Sequence, residues 1–247
     1  MTTPLPAGTA AGAGSTPRDQ SVVQAMAGVI RRPRSTFESV VSHPRWGTLL
    51  LVTTIMSAVA GAAFMATAVG QQALVDQWER TAAAFGQPVD DAGYARLENL
   101  GERSSVVYAV TAALVAGPVL AVGVAILLRV VFRGRASFQE AMAVTTYAGV
   151  ILAIRQVLAA PLGYVRETTS SATSLGALFS SFEGTSPVAR FFSALDVFVI
   201  WWAIVLAIGV SVLYHRRART IVGAFLGAYA TLALLLATAM AVTGGSV

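Results

Sequence analysis

Long apolar stretches alternate with short polar segments along this chain. Because a helix rises about 1.5 Å per residue, about 20 consecutive apolar residues cross the hydrocarbon core of a bilayer. Five stretches are long enough: residues 47–69, 105–128, 141–162, 191–214 and 221–242. The pattern predicts an all-α membrane protein with five transmembrane helices in one membrane domain, with short amphipathic helices at the membrane interface.

The composition supports this class. Hydrophobic residues make up 55% and charged residues 12% of the 247 positions, which is more apolar than a soluble domain. Residues 1–20 are rich in Pro, Gly, Ala and Thr, so we expect a disordered tail there, without the basic and apolar regions of a signal peptide. The chain has no Cys, which excludes disulfides, thiolate metal sites and a cysteine nucleophile.

Arginine provides all the positive side-chain charge, and its distribution predicts the orientation. Most of the 17 basic residues flank the spans on the side of the N-terminus, whereas the opposite side carries most of the acids. Positively charged loops resist translocation, so we expect a cytoplasmic N-terminus and a C-terminus outside. Several cytoplasmic arginines should contact lipid headgroups. They are Arg31, Arg32, Arg34, Arg133, Arg135, Arg216, Arg217 and Arg219.

Two segments on the N-terminal side carry a Ser followed three residues later by an acid, the capping box that starts a helix. The pairs are Ser35 with Glu38 and Ser137 with Glu140. Around the first pair, residues 21–45 predict a short helix along the lipid headgroups, with Phe37, Val40 and Val41 toward the membrane. The second pair opens the third span. Independent helix starts and an ancestral duplication explain the two copies equally well.

The loops on the opposite side contain further helix signals. In residues 71–101, apolar positions lie among acids, and the breaks at Pro88 and Gly93 predict two short helices over the outer surface. Ser186-Pro187 predicts the start of the fourth span. Apolar residues at helical spacing predict an amphipathic turn before it: Leu175, Leu178, Phe179 and Phe182. These segments either pack against the bundle or cover a groove for a lipid or peptide.

Small residues indicate where helices touch. Gly223 and Gly227 form a G-x-x-x-G pair in the fifth span, and such pairs let helix backbones approach closely in lipid. We expect the pair to pack within the bundle, with a homodimer interface as the alternative.

Arg155 and Asp196 each interrupt an otherwise apolar stretch at a similar depth. A charge in hydrocarbon is costly unless it is paired or hydrated. We therefore predict an ion pair in the outer half of the bundle, since consecutive antiparallel helices can bring the two side chains together. Tyr147, Gln156 and Tyr164 are candidates to complete a polar network. The pair could be a structural clasp, part of a translocation or lipid-headgroup path, or a proton relay.

Residues that could support catalysis are scarce. His43 and His215 are the two histidines, and too few acids lie near them in the sequence to complete a metal site. The chain has no phosphate-binding glycine loop with Lys and no nucleophile elbow. No basic run is interleaved with aromatic residues, as a nucleic-acid surface would be. We predict no catalytic residue, metal, cofactor or nucleic-acid partner.

Short motifs through residues 30–240 resemble those of a known family. They are Pro33-Arg34-Ser35-Thr36-Phe37, Pro44, Gly134-Arg135-Ala136-Ser137-Phe138, Tyr147-Ala148, Ser174-Leu175-Gly176-Ala177-Leu178, Leu195-Asp196-Val197-Phe198-Val199-Ile200-Trp201, Gly209 and Arg217-Ala218-Arg219. The chain resembles the bacterial branch of the Yip-domain family, polytopic membrane proteins of the Ypt/Rab-interacting type. The resemblance implies a five-span bundle with a cytoplasmic N-terminus and a role in organising membranes. We do not carry GTPase binding over from the family, since the residues before the first span are unlike the long N-terminal domain of eukaryotic members, and whether a GTPase binds stays open.

We therefore expect a non-enzymatic integral membrane protein of Yip type, with its membrane domain in residues 46–247. It would act as a scaffold or adaptor in membrane organisation or envelope assembly, in a bacterial cytoplasmic (inner) membrane. Its partners would be membrane lipids and other membrane proteins or a second copy of the chain. The alternative is a transporter, channel or lipid scramblase that uses Arg155 and Asp196. A polar cavity that reaches these charges would favour the alternative.

Overall fold

The structure, a computed structural model, describes residues 21–84, 89–133, 136–166, 173–178, 191–192 and 194–243. In chain order these form α1 Val22–Arg31, α2 Pro33–Ser42, α3 Gly47–Met65, α4 Ala68–Ala84, α5 Asp91–Val131, α6 Phe138–Arg166, α7 Leu175–Leu178, α8 Val197–Leu213 and α9 Ala218–Thr243. The described ranges contain no β-strand beyond one isolated bridge between Ser174 and Asp196. The predicted tail, Arg135, Phe179, Phe182 and Ser186-Pro187 lie outside these ranges.

Four helices in the described ranges are long and apolar enough to cross a membrane. They are Gly47–Met65, Asp91–Val131, Phe138–Leu162 and Ala218–Leu235. The fourth predicted span, residues 191–214, differs, because its apolar helix is α8, which has 17 residues and starts only at Val197. Asp196 is the N-cap of that helix, so the carboxylate begins the helix and does not interrupt it.

α6 lies at the centre of the bundle. It packs against α3 and α5 on one side and α8 on the other, and α9 packs on α8. The half of α6 nearest its start is almost fully buried, including Met142, Val144 and Ile151. α5 and α9 instead expose many large apolar side chains, as helices facing lipid do.

The N-terminal segment differs from the single interfacial helix that we predicted. It folds into α1 and α2, and α2 packs on α6 and α8. Phe37 and Val40 are buried in the protein core and do not face lipid, whereas Val41 is only partly buried. The amphipathic pattern was identified correctly, but its apolar face finds protein because Gly209 of α8 leaves space for the Phe37 ring.

One predicted capping box is present and the other is wrong. Ser137 N–H donates to Glu140 at 2.7 Å, and Glu140 N–H donates to the Ser137 hydroxyl at 3.2 Å. Ser35 lies inside α2, because Pro33 starts that helix two residues earlier, and the Ser35 hydroxyl donates to the Arg32 carbonyl. A capping box that we did not predict starts α1, where Ser21 and Gln24 cap each other.

The predicted pair of short helices in residues 71–101 is also wrong in part. α4 is separate, but α5 runs 41 residues from its N-cap Asp90 through Gly93 and Pro118. Gly93 does not break the helix, because its N–H donates to the Asp90 side chain at 2.8 Å and so belongs to the capped first turn. α4 folds back on α5 and buries Leu74 and Val75.

Candidate functional site

Arg155 of α6 and Asp196 at the start of α8 form an ion pair. The Arg155 Nε donates to Asp196 Oδ2 at 2.7 Å. The Asp196 side chain is 9% exposed and that of Arg155 is 31% exposed. The carboxylate is thus enclosed by protein, while the Arg155 side chain is partly exposed.

The second carboxylate oxygen of Asp196 caps α8. Oδ1 accepts hydrogen bonds from Phe198 N–H at 2.8 Å and Val199 N–H at 3.3 Å. These donors would otherwise lack partners in the first turn of the helix. The positive end of the helix dipole also favours a negative charge at this position. Asp196 therefore gains support for its charge from both Arg155 and the backbone of α8.

A short segment after α6 closes over the carboxylate. The Thr173 hydroxyl donates to Asp196 Oδ2 at 2.6 Å. The backbones are joined as well, since Leu175 N–H donates to the Leu195 carbonyl at 2.7 Å and Val197 N–H donates to the Thr173 carbonyl at 3.2 Å. This bridge fixes the segment that precedes α8 against the segment that precedes α7.

α9 joins the same group of residues through Tyr229. Its hydroxyl accepts from Asp196 N–H at 3.0 Å and donates to the Ala194 carbonyl at 3.1 Å. Arg155, Thr173, Asp196 and Tyr229, which we call the Asp196 cluster, thus connect α6, the segment before α7, α8 and α9. The side chain and the backbone N–H of Asp196 together link elements that are far apart in the sequence.

A cavity of about 500 Å³ lies beside this cluster, between α3, α5 and α6, and Arg155 lines it. Alanines and Gly117 of α5 form one wall. Five residues that carry hydroxyl groups line it from α3 and α6: Thr53, Thr54, Ser57, Thr145 and Thr146. The buried Thr146 Oγ1 has no hydrogen-bond partner, whereas Thr145 donates to the Ala141 carbonyl. We call this space the α3/α5/α6 cavity.

Residues 27–241 match the family model described as Yip1 domain. The chain belongs to the Yip1 domain family. With its apolar helices, it is an integral membrane protein. No curated protein and no solved structure matches the chain.

The other residues that we proposed for the network lie elsewhere in the Yip1 domain. Tyr147 is buried in the core, about 12 Å along α6 from Arg155 at 1.5 Å per residue. Gln156 lines the α3/α5/α6 cavity, where its Nε2 would lie 3.6 Å from a methyl group added at Gly61. Tyr164 is exposed. Within the described residues, none of the three hydrogen-bonds to Arg155 or Asp196.

Sequence reasoning missed Thr173 and Tyr229. Thr173 directly precedes the Ser174–Leu178 motif, so the resemblance pointed to its neighbourhood. Tyr229 was a polar aromatic residue in an otherwise apolar span, and a buried tyrosine hydroxyl usually needs a partner. Either signal could have extended the predicted pair to the observed cluster.

The predicted headgroup arginines lie at one end of the bundle, which we call the basic end. It comprises α1, α2, the end of α5, the start of α6 and the connection from α8 to α9. Its arginines are exposed: Arg31, Arg32, Arg34, Arg133, Arg216, Arg217 and Arg219. Arg34 also pairs with Glu38 at 3.2 Å. Of the predicted set, Arg135 lies outside the described residues.

The G-x-x-x-G pair does not have the packing role that we expected. Among the described residues, a methyl group added to Gly223 or Gly227 would meet no atom within 4 Å beyond its own helix neighbourhood. Both glycines are exposed on α9, which attaches to the bundle through its other face. The expected packing within the bundle is therefore wrong for this pair, because the spacing identifies a smooth face but not the side of the helix that meets α8.

Proposed function

We propose that this Yip1-domain protein is a non-enzymatic scaffold or adaptor of a bacterial cytoplasmic membrane. The observation that carries the proposal is that protein groups already bind the Asp196 carboxylate. Each of its carboxylate oxygens accepts hydrogen bonds from protein groups, and its charge is paired with Arg155. A transport site needs charges that can exchange partners with a substrate, whereas these groups are committed to holding the fold.

The proposed scaffold has five crossings, with the N-terminus in the cytoplasm and the C-terminus outside. α8 is about 25 Å long at 1.5 Å per residue, slightly less than a hydrocarbon core of roughly 30 Å. A bilayer adapts to such a mismatch at modest cost by thinning, and the helical residues before Asp196 add length. A crossing by α8 also returns Arg216 and Arg217 to the side that carries Arg31 and Arg133, as the positive-inside rule requires.

The Asp196 cluster is suited to fixing the register of the bundle. Buried ion pairs contribute more to specificity than to net stability, because desolvation offsets much of the attraction. Here the pair aligns α6 with α8, and Tyr229 adds α9, which otherwise packs mainly on α8. The large apolar faces of α5 and α9 remain available for lipid or for partner membrane proteins.

Reconstitution into liposomes tests this proposal. Purified protein in vesicles should give no protein-dependent lipid flip or solute flux, with vesicles containing an unrelated helical membrane protein as the control. Photo-crosslinkers on the exposed face of α5, at Val115 and Val119, should capture a defined membrane partner in cells. The same crosslinker at buried Ala121 should not. A flux that Asp196→Asn abolishes would contradict the scaffold.

A second candidate function rests on the α3/α5/α6 cavity. Its lining is mostly apolar, with a few polar residues such as Gln156 and Arg155 among them, a combination that the chain and headgroup of a lipid could use. Gly117→Leu would place a side chain into this space, where the Thr54 hydroxyl lies 3.7 Å from a methyl group added at Gly117. A flux of the unaltered protein that Gly117→Leu blocks, and that Gly223→Leu leaves intact, would establish this pathway.

A further inference from the structure

A second cavity, of about 750 Å³, opens at the basic end of the bundle. It lies where α5 and α8 end and α6 begins. We call it the basic cavity. Its apolar wall includes Phe132 and Leu213, and its polar lining includes Arg133, Tyr214 and Arg216. It is separate from the Asp196 cluster and from the α3/α5/α6 cavity, with which it shares no lining residue.

The charge of the basic cavity suits an anion. Arg133 and Arg216 line it and are exposed. Glu140 is the acid in the described lining, and its carboxylate accepts the Ser137 N–H of the capping box at 2.7 Å. The guanidinium groups therefore outnumber the acid, and guanidinium forks match phosphate oxygens well.

The backbone at the cavity is unusual at two positions. Arg133 has φ 56° and His215 has φ 51°, the left-handed conformation that ends a helix and usually takes glycine. At α8 the turn is complete, since His215 N–H donates to the Val212 carbonyl and Arg216 N–H donates to the Ser211 carbonyl. A glycine at either position would end the helix in the same way without steric strain. Strained residues of this kind cluster where a side chain has a task, and here both line one cavity.

The Tyr214 hydroxyl supplies a further observation that points to a ligand. Its ring stacks on Phe132, with 4.6 Å between the ring centroids, so its position is fixed. Its oxygen is buried and has no hydrogen-bond partner in the described structure. Buried polar atoms without partners are rare in folded proteins, and each one raises the question of what completes it.

We propose that the basic cavity binds the phosphate of an anionic lipid headgroup. Arg133 and Arg216 would donate to the phosphate oxygens. The Tyr214 hydroxyl, which is enclosed in the protein without a ligand, would donate to the ligand after a local rearrangement of the cavity lining. The apolar wall around Phe132 and Leu213 would contact the glycerol and the first methylenes of the acyl chains, which a free phosphate lacks. This inference goes beyond the scaffold proposal and does not depend on it, since a transporter could hold the same lipid.

The test uses full-length protein in a neutral detergent, with short-chain dioctanoyl-phosphatidylglycerol as the probe and dioctanoyl-phosphatidylcholine as the zwitterionic comparison. Binding is measured by titration calorimetry and by lipid retention in native mass spectrometry. We expect phosphatidylglycerol to bind at least about tenfold more tightly than phosphatidylcholine, or by about 1.4 kcal/mol. Both lipids carry the phosphate, but the choline cation of the second would lie beside Arg133 and Arg216 and be repelled by them. Equal affinity for the two lipids would overturn the proposal.

The variant Arg133→Asn/Arg216→Gln removes both charges, and Asn keeps the left-handed turn. Its matched control, Arg217→Gln/Arg219→Gln, removes the same charge from the same end but not from the cavity lining. We expect the first variant to lose about tenfold or more in phosphatidylglycerol affinity and the control to lose little, since exposed charges contribute weakly. Equal losses of affinity in both variants would indicate that the lipid is attracted by the general positive charge of the basic end, and would overturn the proposed binding site.

Tyr214→Phe separates ligand binding from folding. If the hydroxyl contacts the headgroup, affinity falls about tenfold while the thermal unfolding temperature stays level or rises, because an unpaired buried hydroxyl is removed. Unchanged affinity would exclude the hydroxyl from the site. Glycerol 3-phosphate distinguishes the source of the phosphate: we expect it to bind much more weakly than the lipid, and equal binding would assign the cavity to a soluble phosphate compound and contradict the lipid proposal.

Discussion

The Phe37 ring of α2 occupies the space that Gly209 leaves on the surface of α8. A methyl group added at position 209 would lie 3.0 Å from Phe37 Cε1 and 2.6 Å from Val144 Cγ1. Phe37 is fully buried, so it cannot simply turn outward without exposing its ring. This contact attaches the N-terminal helices to the bundle and explains why a glycine stands within α8.

Gly209→Ala should destabilise the protein by about 1–3 kcal/mol, the usual cost of overpacking a core, although Ala is the better helix former. We expect a lower thermal unfolding temperature in detergent and faster proteolysis between α2 and α3. Gly223→Ala is the matched control, since it meets open space and should be neutral or slightly stabilising. If both substitutions behave alike, the fit of Phe37 against α8 is not a stabilising contact.

The sequence predicted the apolar spans well, and its errors have physical causes. Hydropathy counts apolar residues and does not detect where a helix begins, so residues 191–214 were read as one span although Asp196 caps a shorter helix. The spacing of Phe37 and Val40 identified an apolar face, but lipid and protein bury such a face equally well. Only the position of Gly209, far along the chain, decides between them.

The candidate site was predictable as a pair but not as a cluster. An unpaired charge in apolar surroundings costs free energy, and two opposite charges lower that cost by pairing. The pairing of Arg155 with Asp196 could therefore be predicted from the sequence. Thr173 and Tyr229 carry no charge and can satisfy their hydroxyls in many ways. Their roles depend on how the segment before α7 and the helix α9 pack, which local spacing does not encode.

Asp196→Asn should isolate the contribution of the ion pair. Asn caps helices as well as Asp does, so the start of α8 is retained while Arg155 loses its counter-charge. We expect a loss of about 1–3 kcal/mol in the free energy of unfolding, because the Asn amide nitrogen cannot accept the hydrogen bonds that Oδ2 accepts from Arg155 and Thr173. Chemical and thermal unfolding in detergent measure it.

A double variant completes that experiment. Arg155→Gln/Asp196→Asn should be less destabilised than the sum of its single substitutions, because neither charge is then left without the other. Additive losses would indicate that the two side chains touch without contributing to each other's stability.

Tyr229→Phe should weaken the attachment of α9. The substitution removes the hydroxyl that pairs with Asp196 N–H and the Ala194 carbonyl, so both backbone groups lose a partner. We expect about 1–3 kcal/mol of destabilisation, with faster hydrogen exchange at the start of α8. Tyr164→Phe is the control, because that residue is exposed and makes no described hydrogen bond. Equal stability of the two variants would show that the Tyr229 hydroxyl does not stabilise the attachment of α9.

The crossing by α8 can be tested directly because the chain contains no Cys. Single substitutions Tyr164→Cys, near the end of α6, and Arg217→Cys, after α8, each give one reactive thiol at an exposed position. If α8 spans the bilayer with the basic end inside, a membrane-impermeant maleimide added to spheroplasts should label only Tyr164→Cys. In permeabilised spheroplasts the same maleimide should label both variants, which shows that both thiols are reactive. Labelling of both thiols in intact spheroplasts would place the end of α6 and the end of α8 on one side and contradict the five-span topology.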